Sequence, residues 1–271
     1  MFGVMVSHPD TGESFIREIL QIIFKKSFER LVVRPQKVYY GSNTDKHGAR
    51  LDVYLEEVDD AVPGGAIVYD VEPDQNEDEE SKAALPKRTR FYHAKIDAQS
   101  LKSGEHYRSL KNVIVILITP YDPFGLNRMV YTIRCQCVEN PEMNYDDGAC
   151  TMYLYTKGTE GNPPEELKQL LYYMENTKVE NANSEALQNI DRMVNRIKMD
   201  GEVSLEYMKI FEREEMLIRK GQEMERQNTE REKQRADTAE QRAARAEQEV
   251  EALRKELRIL KGREEKSQAI N

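Results

Sequence analysis

Apolar residues recur at helical spacing at Phe15, Ile16, Ile19, Leu20, Ile22, Ile23 and Phe24. With Thr11, Gly12, Glu13 and Ser14 ahead of them, they predict an amphipathic helix ending near Arg30. Only ten residues precede it, room for little further structure. Residues 31–40 read as a loop and short strand, and 41–47 as a polar turn. Residues 49–57 and 66–72 alternate as strands around a Pro63-Gly64-Gly65 turn signal. An acidic loop at 75–84 leads to a helix from Leu85-Pro86-Lys87 to about Ala98, with Pro86 in its first turn, where a missing N–H is harmless. The run Lys111 to Thr119 is apolar and β-branched, as in a strand buried on both faces. Residues 128–139 and 150–156 alternate as two more strands, and residues 163–175 form a helix with Leu167, Leu170, Leu171 and Met174 on one side. The order predicts an α/β fold, a mixed central sheet flanked by helices.

The two strands at 49–72 hold the densest chemistry. Folded antiparallel about residue 62, they set Asp52 opposite Glu72. One face then carries Leu51, Val53, Leu55, Ile67, Tyr69 and Val71, an apolar set. The other carries Asp52, Tyr54, Glu56, Val68, Asp70 and Glu72, where like charges repel across the strands. A hard divalent cation would relieve that repulsion, since Mg²⁺ is held by one or two carboxylates plus water and substrate phosphate. The alternative reading of this face is a solvated acidic surface on a half-buried sheet.

Beyond residue 176 only helical signals remain. Ile190, Met193, Val194 and Ile197 make one stripe; Val203, Tyr207, Ile210, Phe211, Leu217 and Ile218 make a less regular one. From Ala236 the spacing alternates three and four through Ala239, Ala243, Ala246, Val250, Leu253, Leu257 and Leu260. This heptad seam, bracketed by Arg and Glu, predicts a coiled coil and self-association, firmest between Val250 and Leu260. A solvated lone helix is the other reading. The expected division is 1–175 as the α/β domain, 176–220 as a helical linker, and 221–271 as a long helix and coiled coil.

Composition narrows the function classes. The 271 residues carry a formal net charge of -9, which argues against wholesale coating of nucleic acid but allows a local basic patch. The three cysteines, Cys135, Cys137 and Cys150, lack zinc-ligand spacing. Cys135 and Cys137 are expected on one strand face as small core residues. The N-terminus has no secretory pattern, and the longest apolar run, Val113 to Ile118, is too short to span a bilayer. The expected compartment is the cytoplasm, without membrane association. No Gly-rich phosphate loop, GxSxG elbow or HExxH occurs, and His8, His47 and His106 show no ligand spacing.

Several motifs recur in a characteristic order. They are Gly48-Ala49-Arg50-Leu51-Asp52-Val53-Tyr54; Tyr69-Asp70-Val71-Glu72; and Leu85-Pro86-Lys87-Arg88-Thr89-Arg90-Phe91-Tyr92. Tyr121-Asp122-Pro123-Phe124-Gly125, Tyr131-Thr132, Asp146-Asp147-Gly148, Lys157-Gly158 and Glu166-Leu167-Lys168 follow. Over residues 1–175 this order resembles the Rpn family of recombination-promoting nucleases, also called transposase-like, in the PD-(D/E)XK nuclease superfamily. The resemblance implies a restriction-endonuclease-like core that cuts DNA with Mg²⁺ or Mn²⁺. It makes Asp52 the first metal-binding aspartate and Glu72 the acid of the (D/E)-x-K element, and implies roles in recombination, mobile elements or phage defence.

Two features depart from that family. Asp74, after Pro73, stands where the superfamily carries Lys and this family often Gln. An ionised aspartate cannot donate a hydrogen bond, so Asp74 holds a metal, a distant residue such as Lys82 reaches in, or activity is lost. Such proteins also usually carry a further segment ahead of the Met-Phe-Gly. Lys87, Arg88 and Arg90, in the first turns of the predicted helix, are the candidate DNA-phosphate grip, with Arg90 rather than Arg88 toward the sheet. Their alternative is ion pairing with the acidic loop. His93 is a proton-transfer candidate or a packed helix residue. The function class opposed to the nuclease is a catalytically degenerate fold, an oligomeric DNA- or protein-binding module.

Overall fold

The computed structural model describes residues 2–39, 49–59, 61, 65–201, 216, 219–240, 242, 245 and 250. Two compact units divide the chain, Met1–Tyr207 and Met208–Asn271. The first is a mixed α/β layer structure. Its elements are α1 (Phe2–Ser7), α2 (Gly12–Phe24), β1 (Leu31–Tyr39), β2 (Ala49–Val58), β3 (Ala66–Pro73), α3 (Glu79–Ser100), β4 (Asn112–Thr119), β5 (Val130–Ile133), β6 (Ala149–Tyr155), α4 (Glu165–Glu175) and α5 (Glu185–Met199). Among the described residues six strands lie in the order β1-β2-β3-β4-β6-β5. β3, β4 and β6 run parallel; β1–β2, β2–β3 and β5–β6 pair antiparallel.

Both faces of the sheet are covered. On one, α1, α2, α4 and α5 bury Phe15, Ile19, Leu170, Ile190 and Val194 against Val53, Leu55, Tyr69 and Val71. On the other, Leu85 and Ile96 of α3 pack with Tyr54, Val68, Val115, Leu117 and Tyr153. The run 113–118 therefore serves two cores, as a strand buried on both faces requires. The expected solvated acidic surface is corrected: the second face of β2 and β3 lies under α3, and Asp70 and Glu72 are buried with it.

Several element limits differ from the sequence reading. α2 stops at Phe24 because Lys25 turns left-handed, its N–H closing on the Gln21 carbonyl, and Phe28 packs edge-on to Tyr69. Residues 31–39 form one continuous strand because β2 supplies a full-length partner. α3 begins six residues earlier than Leu85, where Asp78 caps it by accepting the Ser81 N–H, with Glu79 and Glu80 in its first turn. Pro86 is thus inside the helix. The strand expected at 128–139 is only Val130–Ile133, and Cys135 and Cys137 fall beyond it, Cys135 exposed.

The stripe at 190–197 is not part of a linker. Leu187, Ile190, Val194 and Ile197 of α5 are buried in the first core, and Asp191 accepts the Tyr173 hydroxyl at 2.8 Å. In the second unit, residues 219–240 are helical and exposed, including Ala236 and Ala239, and Val250 is helical. The other seam positions, Ala243, Ala246, Leu253, Leu257 and Leu260, lie outside the described residues, as do the stripe positions 203–211, 217 and 218 and the turn at 41–47. Among the described residues no helix is long and apolar enough to cross a membrane.

Candidate functional site

β2 and β3 pair in the register expected from the sequence, Val53 with Val71 and Tyr54 with Asp70, which continues to Asp52 with Glu72. The ladder itself ends at Val53. In place of a further ladder bond, the Asp52 N–H donates to Glu72 Oε1 at 2.7 Å. Leu51, still paired with Lys37 of β1, joins the α3-side core, a correction to its expected place beside Val53 and Leu55.

Asp70 and Glu72 project from β3 beneath α3. Asp70 is fully buried, and its carboxyl meets no donor other than the neighbouring Glu72 carboxyl, with which it can share one proton. Burial, reinforced by the negative charges of Glu72 and Asp52, holds the Asp70 carboxyl well above the usual carboxylate range. Burial likewise pushes Glu72 up to about 7, the Asp52 N–H bond offsetting only part of it. Tyr92 of α3 stands over the same charges; burial and then Glu72 push its hydroxyl up to about 12. Asp52 itself is half-buried at the mouth of this group.

Asp74 lies one strand step beyond Glu72 and belongs to a different arrangement. Its carboxylate is bonded by the Arg88 guanidinium, accepts the Tyr121 hydroxyl at 2.9 Å, and accepts the Asn76 N–H at 3.0 Å. Arg88, not Arg90, faces the sheet, which corrects the expected orientation; its charge also reaches Glu72, and its buried Nε has no partner. With α3 starting at Glu79, Lys87 and Arg88 lie in its third turn and Arg90 in its fourth, so the helix N-terminus no longer assists them. Lys87 and Arg90 are exposed, and Arg90 lies on the flank toward β6. Lys82 does not reach the acids: it pairs with Glu79 at 3.0 Å and lies over the Tyr121 ring. His93 packs against β6, its Nε2 3.0 Å from Thr151 Oγ1.

Sequence reasoning passed over Asp70, Tyr92 and Tyr121 as site residues. Strand alternation put Asp70 on the carboxylate face, and its burial is the added fact. Tyr121 had no such signal, because its approach to Asp74 depends on the loop after β4.

A cation is the natural complement of this group. Ionising the fully buried Asp70 beside Glu72 is costly, by several kcal/mol for an uncompensated buried charge, and a shared proton or a bound cation relieves it. Asp52 and Glu72 are the two residues that could hold a partly hydrated Mg²⁺, whose remaining ligands would be waters and substrate phosphate. Among the described residues no group of three or more His, Cys, Asp and Glu side chains could hold a metal ion. No family model, curated protein or solved structure matches this chain.

Proposed function

We propose that the chain is a metal-dependent DNA endonuclease of the Rpn type, a phosphodiester hydrolase with a restriction-endonuclease-like core. The observation that carries this reading is the buried Asp70 carboxyl, which has only the Glu72 carboxyl to bond to, at the point where Asp52 meets Glu72 across the hairpin. The mixed sheet with helices on both faces supports the same reading. Mg²⁺ or Mn²⁺ bound by Asp52 and Glu72 would polarise a scissile phosphate and lower the pKa of its water.

The chain's own groups have separable roles. Before a cation enters, Asp70 and Glu72 together retain a proton near neutrality, which cation binding displaces. Arg88 supplies the positive charge that Asp74 cannot, with an unpartnered Nε–H close to the acids for developing negative charge on a phosphate. Asp74 and Tyr121 position that guanidinium. DNA is the partner, the cytoplasm the compartment, and self-association runs through the C-terminal helix seam.

One observation favours the degenerate binding module instead. Asp74 is already satisfied by Arg88, Tyr121 and Asn76, as in a site closed into structure. Incubating supercoiled plasmid with Mg²⁺ or Mn²⁺, beside Asp52→Ala and Glu72→Gln, separates the two. Nicking by the parent and not the variants is the expected result. Equal nicking by all rules out this site, and nicking by none leaves the binding module. Sedimentation of a chain ending at Tyr207 tests self-association: if it stays as oligomeric as the full chain, the seam is not the cause.

A further inference from the structure

On the far flank of α3 from the carboxylates, Pro86, Thr89, Arg90 and His93 recur at helical spacing above β5 and β6 and border a pocket of about 360 Å³. That volume suits a small molecule. Its walls are largely apolar: Phe124 stands edge-on to Tyr153 at 4.9 Å between centroids and to Tyr131 at 5.0 Å, yet remains about a third exposed (37 %) at the mouth. Arg134, one residue past β5, lines the same pocket as Arg90. Neither guanidinium forms a salt bridge with a carboxylate among the described residues, Arg134 hydrogen-bonding only the Cys150 thiol, in a chain whose acids outnumber its bases. Asp147 lies near Cys135 and His93, so the positive side of the mouth is the one between the two arginines.

At the wall, His93 leaves its Nδ1 buried without a partner while Nε2 meets Thr151. Burial keeps this imidazole on the neutral side of its ordinary range, so it offers one donor and one acceptor. With His93 in an otherwise largely apolar wall, a flat ligand body with one polar edge matches the pocket. Two exposed guanidiniums without a carboxylate partner, Arg134 touching only the Cys150 thiol, match a phosphate on the same ligand.

We infer that this pocket binds a nucleotide, its base against Phe124 and Tyr153 with an edge toward His93, and its phosphate between Arg90 and Arg134. The chemistry is shared by a free nucleotide and by an unpaired nucleotide of a DNA strand. The pocket uses none of the candidate metal-binding acids, so it stands or falls independently of the nuclease reading.

Calorimetric titration of the full chain in EDTA tests it, with deoxyadenosine monophosphate, deoxyadenosine, inorganic phosphate and a short single-stranded oligo-dA as probes. The monophosphate is expected to bind about tenfold or more tighter than either the nucleoside or phosphate alone, with Arg134→Gln and Arg90→Gln each losing about tenfold. Both arginines are exposed, so circular dichroism of these variants should match the parent. His93→Phe should weaken the monophosphate and leave phosphate unchanged. Tighter binding of oligo-dA than of the monophosphate assigns the pocket to a strand; equal or weaker binding assigns it to a free nucleotide. A monophosphate that binds no better than phosphate, or arginine variants that bind like the parent, overturns the inference.

Discussion

The Arg88 guanidinium of α3 is bonded to the Asp74 carboxylate at the end of β3. This pair ties the helix over the acids to the strand that carries them. Asp74 is almost fully buried and Arg88 about a third exposed, so removing one partner strands a buried charge, whereas removing both does not. Asp74→Ala should cost about 2–3 kcal/mol in urea unfolding, the buried-pair figure discounted for the exposure of Arg88. Asp74→Ala with Arg88→Ala should cost less than the sum of the single changes. Additive losses would show that the pair is not a coupled unit.

The carboxylates predict an unusual pH dependence in metal-free protein. Their folded-state pKa values are raised, so between the unfolded and folded values the unfolded chain has released protons that the native chain retains. Stability therefore falls as pH rises. For Glu72 the window runs from about 4.5 to about 7 and is worth about 3 kcal/mol, with Asp70 acting in the same direction. Urea midpoints in EDTA should drop across this range, and Glu72→Gln should flatten the drop. Mg²⁺ should restore the midpoint near pH 7 by binding the native state. A flat profile with no response to metal would mean these acids are neither strained nor metal-binding.

Much of the site's geometry was legible because strand alternation and a single turn position fix a hairpin's register. The pairing of Tyr54 with Asp70 follows from folding about residue 62, and Asp52 beside Glu72 follows with it. What covers the face was not legible. Charge in a half-buried hairpin reads as solvated until α3 is known to lie across it, and the start of α3 was hidden by an acidic stretch that serves as its cap and first turn. Pro86 made the wrong start plausible. Arg88 was then placed by position in a mistaken helix, and its partner by nothing local at all, since Asp74 is fourteen residues away.

Gly12 marks a close approach with no room for a side chain. A Cβ there would meet the Val6 carbonyl oxygen at 2.1 Å, between α1 and α2. Gly12→Ala should therefore destabilise by about 1–3 kcal/mol, as overpacking does, even though alanine is the better helix former. Thermal unfolding measures it, and a neutral or stabilising result would mean that α1 does not pack there.

The place of α5 predicts where the chain can be cut. Leu187, Ile190, Val194 and Ile197 are all buried in the core formed with α2 and α4. Each contributes about 1.5–3 kcal/mol by burial. Together they approach about 6–12 kcal/mol, comparable with the 5–15 kcal/mol that typically stabilises a domain. A chain ending at Glu175, the boundary that the motifs alone suggest, should thus aggregate or melt well below the parent. A chain ending at Tyr207 retains the first compact unit and should keep the parent's melting temperature. Expression of both, followed by thermal unfolding, decides it. A stable fragment ending at Glu175 would mean that α5 is an accessory to this core and not part of it.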